Sequence, residues 1–249
     1  MTILVEAAES RSPTAPATSR LPVPVERWLR VVRPELDARP SAIYLEGPAR
    51  FKRGRLPFLP MQIRVWNRLG HDRISELEVR VLGLTVMRGL DAFVDGRGFT
   101  RVGSELSTGP EIDQGAFHVM FLESLLIPSA WPASIRWEPI HADAARVLVP
   151  YEGGTEEAVV TFEPASGLPA SYSTDRFKSA GAPKVWWTAE FHAWTSFGPI
   201  FYPGQVRLQW ADDLEPWLEM RITAARVDPD MSGPLARARA VLAGAESED

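Results

Sequence analysis

The chain of 249 residues contains no cysteine. This absence excludes disulfides, thiolate metal ligands and a cysteine nucleophile, and it fits a protein that needs no oxidising compartment. The first 20 residues lack the basic segment followed by an apolar segment that marks a secretory signal. No apolar run approaches the ~18–20 residues that cross a bilayer. We therefore expect a cytoplasmic protein with no transmembrane segment.

Long runs of positive charge and familiar catalytic motifs are also missing. The chain has 27 Lys and Arg against 32 Asp and Glu, a net charge of −5, so we expect no nucleic-acid partner. No Gly-x-Ser-x-Gly elbow occurs, and Gly96-x-Gly98 lacks the lysine and the strand-to-helix context of a phosphate loop. No two of the four histidines have the spacing of a metal-binding helix. We expect no metal and no cofactor.

The chain does contain many short segments of alternating apolar and polar residues, bounded by turn signals. Between them, apolar residues at helical spacing predict one internal helix at 112–127, which Pro128 ends. The predicted strands are 41–46, 60–66, 74–81, 84–94, 134–140, 144–149, 156–163, 170–177, 184–197, 204–211 and 216–227. This order predicts a mainly β (α+β) fold, a curved antiparallel sheet or half-barrel wrapped around one internal helix.

The two ends of the chain differ from this pattern. Residues 1–20 are rich in Ala, Ser, Thr and Pro, and we expect them to be disordered. Val23 to Val32 is amphipathic, with Pro22 before it, and predicts a short N-terminal helix. Residues 228–249 are interpreted as a C-terminal tail with a possible short helix. A single domain is thus predicted over residues 21–227.

The segment Lys184 to Phe197 gives the main candidate site. As a strand it has an apolar face and a face that mixes indoles with a carboxylate and an imidazole. Glu190 and His192 share that mixed face and form the candidate catalytic pair, either as a general base with its orienting carboxylate or as a solvent-exposed polar pair. The candidate ligand-binding residues are Trp186, Trp194, Phe117, Met120 and Phe121. Asp91, Asp175 and Arg176 are interpreted as structural.

Five stretches, taken in order, resemble a bacterial family of unknown function. The stretches are Leu21 to Arg30 with Pro34, Val94 to Gly98, Leu125 to Pro128, Ile135 to Glu138 and Phe201 to Gly204. The resemblance covers about residues 21–227. It implies a curved antiparallel sheet around a helix, similar to the half-barrel of lipoprotein carriers such as LolA, which hold lipid or another apolar molecule on the concave face. It supplies no catalytic residues.

Three functions remain open at this point. The first is binding of a hydrophobic small molecule or lipid in an aromatic-lined cavity, where buried apolar area would supply the affinity. The second is a cofactor-independent enzyme of the cyclase or isomerase type, which acts on an apolar metabolite in the same cavity through Glu190 and His192. The third is an interaction module without a small ligand. The Phe197 to Pro203 connection is expected either to cover a cavity mouth or to join the core.

Overall fold

The computed structural model of the chain describes residues 21–33, 39–52 and 57–246. The prediction of disorder for residues 1–20 therefore lies outside the described residues. The helices are α1 (Val23–Val32), α2 (Pro110–Leu125) and α3 (Ser232–Glu246), with a 3-10 turn at Pro128–Ala130. The strands are β1 (Ala42–Phe51), β2 (Leu59–Arg68), β3 (Asp72–Val81), β4 (Leu84–Val94), β5 (Arg97–Val102), β6 (Glu105–Ser107), β7 (Arg136–His141), β8 (Ala144–Tyr151), β9 (Gly154–Phe162), β10 (Pro169–Phe177), β11 (Lys184–Phe197), β12 (Ile200–Trp210), β13 (Leu218–Arg221) and β14 (Ala224–Val227).

All of these strands belong to one antiparallel sheet. Their order is β6-β5-β4-β3-β2-β1-β13-β12-β11-β10-β9-β8-β7, and β14 pairs with β1 beside this path. The edge strands β6 and β7 do not pair with each other, so the sheet curves without closing into a barrel. The prediction of a curved antiparallel sheet with a short N-terminal helix is confirmed.

One glycine allows the sheet to change partners in the middle of β1. The first half of β1 pairs with β14 through Ile43 to Glu46, and the second half pairs with β13 from Ala49 onward. Gly47 lies between these two halves, where the backbone of Arg221 crosses it. A Cβ atom at Gly47 would lie 1.8 Å from the Arg221 carbonyl oxygen, so no larger residue fits without movement of the backbone.

Helix α2 lies inside the curved sheet and contacts β2, β4 and β5 from one half of it and β10 from the other. The sequence predicted a single apolar stripe at 112–127, but the helix spans Pro110–Leu125 and is buried on most of its surface. Its buried residues include four polar ones, Asp113, Gln114, His118 and Ser124. The apolar stripe did not predict that these polar residues would be buried. They are buried because the sheet surrounds the helix, and each of them has a hydrogen-bond partner there.

Helix α1 closes one end of the main core. Its start and end agree with the predicted range, and it ends where Arg33 adopts a left-handed conformation with φ of 46°. Trp28 is fully buried and packs on Trp131 and Phe162, with ring centroids 5.3 and 6.0 Å away. The apolar stripe of α1 thus covers the strand edge near β8.

Helix α3 builds a second, smaller core on the opposite face of the sheet. It is longer than the short helix predicted within 228–249, and it packs against β3 and β4. Ala238 is fully buried there against outward-facing residues such as Ile74 and Phe99. Ion pairs from Arg237 and Arg239 of α3 to the sheet side add polar contacts at its rim. None of the described helices is long and apolar enough to span a membrane.

Several strand boundaries differ from the sequence-based ones. Strands β5 and β6 were not predicted, because glycines at 96, 98 and 103 made the region resemble a continuous turn. The predicted strand 216–227 is two strands, β13 and β14, which pair with different parts of β1. Residues 200–203 belong to β12, since Phe197 pairs with Ile200 across a turn at Gly198. Ile200 and Tyr202 are buried, so this connection joins the core.

The β3–β4 hairpin extends beyond both neighbouring strands. Pairing with β2 ends at Val79, and pairing with β5 begins at Gly89. The tip between these residues exposes apolar side chains, of which Leu82 is 98% and Leu84 71% exposed. A projecting apolar hairpin thus forms part of the rim of the sheet.

Candidate functional site

The inward face of the sheet, which is the face that packs on α2, is not completely buried. Register places Phe191, Val206 and Met220 side by side across β11, β12 and β13. Phe191 is buried, but the other two remain partly exposed. Other inward-facing apolar residues that α2 does not cover are also partly exposed. We call this surface the apolar cleft; it consists of Phe51, Leu77, Met87, Val206, Leu208 and Met220.

A cationic side chain lies on the inward face beside the apolar cleft. Arg176 of β10 has its guanidinium carbon 4.6 Å from the ring centroid of Trp187 and 5.2 Å from that of Trp210. These two tryptophans are paired across β11 and β12 and are both buried. Burial lowers the pKa of Arg176 to about 10, although the negative charge of Asp91 opposes that shift. Arg176 therefore stays protonated at neutral pH in an environment that disfavours its charge.

A second inward-facing arginine has a complete set of partners. Arg73 donates from Nε to Glu123 of α2 at 2.9 Å and from an Nη atom to Asp91 of β4 at 2.8 Å. Asp91 also accepts a hydrogen bond from Thr100 at 2.7 Å, and Glu123 accepts one from Asn67 at 3.0 Å. Burial lowers the pKa of Arg73, but the two carboxylates outweigh it and raise that pKa above its ordinary value. This group holds α2 against β2, β3 and β4.

A third polar group joins α2 to β9 and β10. His118 is fully buried, with Nδ1 2.8 Å from the Tyr172 hydroxyl and Nε2 2.9 Å from a Glu156 carboxylate oxygen. A carboxylate can only accept, so Nε2 carries the proton and Tyr172 donates to Nδ1. Gln114 donates to the same carboxylate at 3.1 Å. The four side chains form one continuous chain of hydrogen bonds.

The protonation states in this chain follow from burial. Burial lowers the pKa of His118, and Glu156 only partly opposes that effect, so the imidazole is neutral at neutral pH. Burial alone would raise the pKa of Glu156, but hydrogen bonds from His118 and Gln114 outweigh it and lower that pKa to about 2. Burial raises the pKa of Tyr172 above its ordinary value, so the phenol stays protonated. With both His118 and Tyr172 fully buried, this network has the features of a structural one.

The mixed face of β11 points away from α2. Trp186 is 42% exposed, and Glu190 and His192 have side chains that are 42% and 41% exposed. His192 Nε2 lies 3.3 Å from a Glu190 carboxylate oxygen, so the structure brings this pair together on the outward surface. Alternation along β11 puts Trp187 and Phe191 on the inward face instead.

The remaining candidate residues lie in the main core or pack against it. Phe117, Met120 and Phe121 of α2 are all buried, and they share no space with Trp186 because the sheet separates them. Trp194 is partly buried, and its Nε1 donates to the Pro169 carbonyl at 3.2 Å. It follows Ala193, where β11 bends with a φ of 53°.

Arg176 was interpreted from the sequence as structural, and its place on the inward face was not predicted. The signal was present: Tyr172, Thr174 and Arg176 alternate on one face of the predicted strand 170–177, so an arginine occupies a core-facing position. Across the part of the chain that the structure describes, no group of three His, Asp or Glu side chains could hold a metal ion.

A groove of about 630 Å³ also lies between α3 and the strands β2 to β5. Its lining carries four arginines and two glutamates: Arg64 pairs with Glu76 and Glu78, and Arg237 pairs with Glu76. The lining of this groove is therefore polar with a net positive charge, whereas the apolar cleft presents apolar side chains.

A family model matches residues 11–220, most of the chain, and its description is a family of unknown function, DUF6544. The chain belongs to that family. The DUF6544 chain has no match among curated protein sequences.

Three solved structures are similar to this DUF6544 protein. A LolA superfamily protein from Nitrosomonas europaea has a TM-score of 0.51 at 7% identity, over 84% of this chain and 94% of that chain. A domain from Vibrio parahaemolyticus, described as outer membrane lipoprotein-sorting, has a TM-score of 0.49 at 10% identity, over 86% and 98%. A DUF1329 family protein from Desulfovibrio piger has a TM-score of 0.46 at 14% identity, over 86% and 96%. The likeness to the Nitrosomonas protein identifies a LolA-like fold.

Proposed function

We propose that this DUF6544 protein binds a hydrophobic small molecule or lipid in the apolar cleft. The observation that carries the proposal is that six inward-facing apolar side chains remain partly exposed next to the main core. Inward-facing residues of a sheet with a helix packed inside it would normally be covered. Each Å² of apolar surface that a ligand covers contributes roughly 25 cal/mol to binding, so an aliphatic chain along this surface gains substantial affinity.

The fold and the rim of the sheet support the same proposal. The curved, open sheet around α2 is the architecture shared with the LolA superfamily protein. The β3–β4 hairpin supplies Leu77 and Met87 to the apolar cleft and exposes Leu82 and Leu84 at its tip. An apolar molecule that leaves a membrane or a carrier would therefore meet apolar side chains before it reaches the cleft.

The test uses a neutral fluorescent probe, N-phenyl-1-naphthylamine, which brightens in apolar surroundings. The unmodified protein should bind the probe saturably, and Leu208→Glu should weaken binding by about 10-fold or more, because it places a charge in the apolar cleft. Ile140→Glu is the matched control, since Ile140 is 45% exposed on the edge strand β7. Equal binding by the unmodified protein and both variants would contradict the proposal.

Native mass spectrometry of freshly purified protein gives an independent test. A co-purified small molecule should be found with the unmodified protein and be depleted in Leu208→Glu. His192→Gln should retain it, because His192 lies on the outward surface. Retention by Leu208→Glu together with loss in His192→Gln would place the ligand on the outward face of β11 instead.

A further inference from the structure

We infer that the ligand carries an oxoanion, a carboxylate or a phosphate, at one end of an aliphatic chain, and that Arg176 binds this oxoanion. The inference rests on the proposed function, because it names the chemistry of the molecule that would occupy the apolar cleft. Four observations on the inward face lead to it.

The first observation is that the guanidinium of Arg176 has no acceptor. Arg176 makes neither a hydrogen bond nor an ion pair with any of the residues described, and its Nε is shielded from solvent. Its contacts are with the faces of Trp187 and Trp210, which hold the guanidinium plane but accept none of its five N–H groups well. A partly buried arginine with unused donors is unfavourable unless something else supplies the acceptor.

The second observation is that a neighbouring N–H donor also lacks a hydrogen-bond acceptor. The indole Nε1 of Trp187 is buried and also lacks an acceptor. Trp187 is fully buried and directly contacts Arg176. A buried donor without an acceptor is unfavourable, so the Trp187 indole adds a second unused donor next to Arg176.

The third observation excludes Asp91, a carboxylate whose charge attracts Arg176, as its acceptor. Asp91 exerts an attractive charge on Arg176 but makes no ion pair with it. One Asp91 oxygen accepts from Arg73 and the other accepts from Thr100. Arg73 thus has its carboxylates and Arg176 does not, although both arginines lie on the inward face.

The fourth observation is the position of Arg176 relative to the apolar cleft. Trp210, Leu208 and Val206 follow one another on the inward face of β12, and Val206 is aligned with Met220 of β13. Four residues of strand span roughly 13 Å. An oxoanion at Arg176 therefore leaves an attached aliphatic chain free to run from Trp210 along the cleft.

The test compares three sixteen-carbon molecules that differ only in the head group. Hexadecanol, palmitate and hexadecyl phosphate are each tested for displacement of N-phenyl-1-naphthylamine from the protein, hexadecanol below its solubility limit and the two anions below their critical micelle concentrations. With the unmodified protein we expect one or both anions to bind about 10-fold or more tightly than hexadecanol, the size expected for charge-assisted hydrogen bonds. A preference for palmitate indicates a carboxylate ligand, and one for hexadecyl phosphate indicates a phosphate ester; either supports the inference.

Three variants test whether Arg176 causes the preference for anions over hexadecanol. Arg176→Gln should remove the preference for anions while hexadecanol still binds, and Arg176→Lys should retain part of it, because the charge remains without the planar fork. Arg207→Gln is the control, an outward-facing arginine on β12 that should leave the preference intact.

Two outcomes would contradict these claims, and they differ in which claims they contradict. Equal affinities of all three molecules for the unmodified protein would overturn the inference and leave the proposed function standing; this comparison needs no variant, so it holds even if Arg176→Gln fails to fold. If neither the probe nor any of the three molecules binds, the proposed function fails, and the inference fails with it.

Discussion

His118 makes the stability of this protein dependent on pH. Its pKa is lowered from an ordinary value of 6.5 by burial, so the folded protein resists protonation that the unfolded chain accepts. The stability contributed by the neutral imidazole is therefore complete above about pH 6.5 and is lost as the pH falls below it. The loss approaches about 1.4 kcal/mol per pH unit.

Urea unfolding at pH values from 8 to 5.5 should show this loss in the unmodified protein. In His118→Gln the slope should be smaller, since glutamine does not titrate, and the free energy of unfolding at pH 8 should fall by about 1–3 kcal/mol because Tyr172 or Glu156 loses a partner. His192→Gln serves as the exposed control and should keep the original slope. Identical slopes for all three proteins would show that His118 does not control the acid response.

At the residue scale, the sequence indicated which side chains share a face more reliably than which face is inward. Alternation grouped Trp186, Glu190 and His192 correctly, and it placed Trp187 and Phe191 opposite them. The sequence of one strand does not indicate which of its two faces will be the inward one, because that depends on a helix about 70 residues away in the chain. The mixed face resembled a site because of its chemistry, whereas the orphan donors of Arg176 and Trp187 appear only once their neighbours are known.

At the element scale, the position of α2 depends on a close approach to β5. The Gly98 backbone N–H donates to Asp113 of α2 at 2.6 Å, and a Cβ atom at Gly98 would lie 2.7 Å from the Ile112 carbonyl oxygen. We expect Gly98→Ala to lower the free energy of unfolding by about 1–3 kcal/mol, because the helix must move away from the strand.

Gly154→Ala provides the comparison for that measurement. A Cβ atom at Gly154 meets only an ordinary contact, 3.5 Å from the Tyr151 carbonyl oxygen, and its φ is not in the left-handed region. Chemical denaturation gives the free energy of unfolding of both variants. The difference between them separates the effect of the close contact at Gly98 from the general effect of replacing glycine. Equal stability of the two would mean that α2 does not need the close approach.

The packing of α3 leads to a second prediction at this scale. Ala238 is fully buried against the outward face of the sheet, whereas Ala236, two residues away on the same helix, is exposed. Ala238→Asp should lower the free energy of unfolding by about 2 kcal/mol or more, because it buries an unpaired carboxylate. Thermal melting of Ala238→Asp and Ala236→Asp measures the difference, and similar melting temperatures would show that α3 adds little to stability.

Element boundaries were predictable where local signals were strong. Helix α1 begins after a proline and carries a regular apolar stripe, so its range was predicted from the sequence alone. The division of 216–227 into β13 and β14 was not predictable, because it depends on the change of partner at Gly47, more than 150 residues earlier. Long-range pairing of this kind leaves no local pattern.

At the scale of the whole molecule, the open sheet leaves the edge strands β6 and β7 without a second neighbour. A strand at an open edge presents unpaired backbone groups that another chain can extend into a continuous sheet. Both edges here are poor templates. The β6 edge is only three residues long, with Glu105 at its start, and the β7 edge contains Pro139, which has no backbone N–H to offer.

We therefore expect the ends of the sheet to limit association between copies of the protein. Replacing Pro139 with valine restores a donor and a strand-forming side chain on β7, so Pro139→Val should associate as its concentration rises while the unmodified protein does not. Light scattering over a concentration series would detect the difference. Thr188→Val is the control, since Thr188 is paired on both sides, with Ser173 of β10 and Gln209 of β12; equal scattering of both variants would mean that Pro139 does not protect the edge.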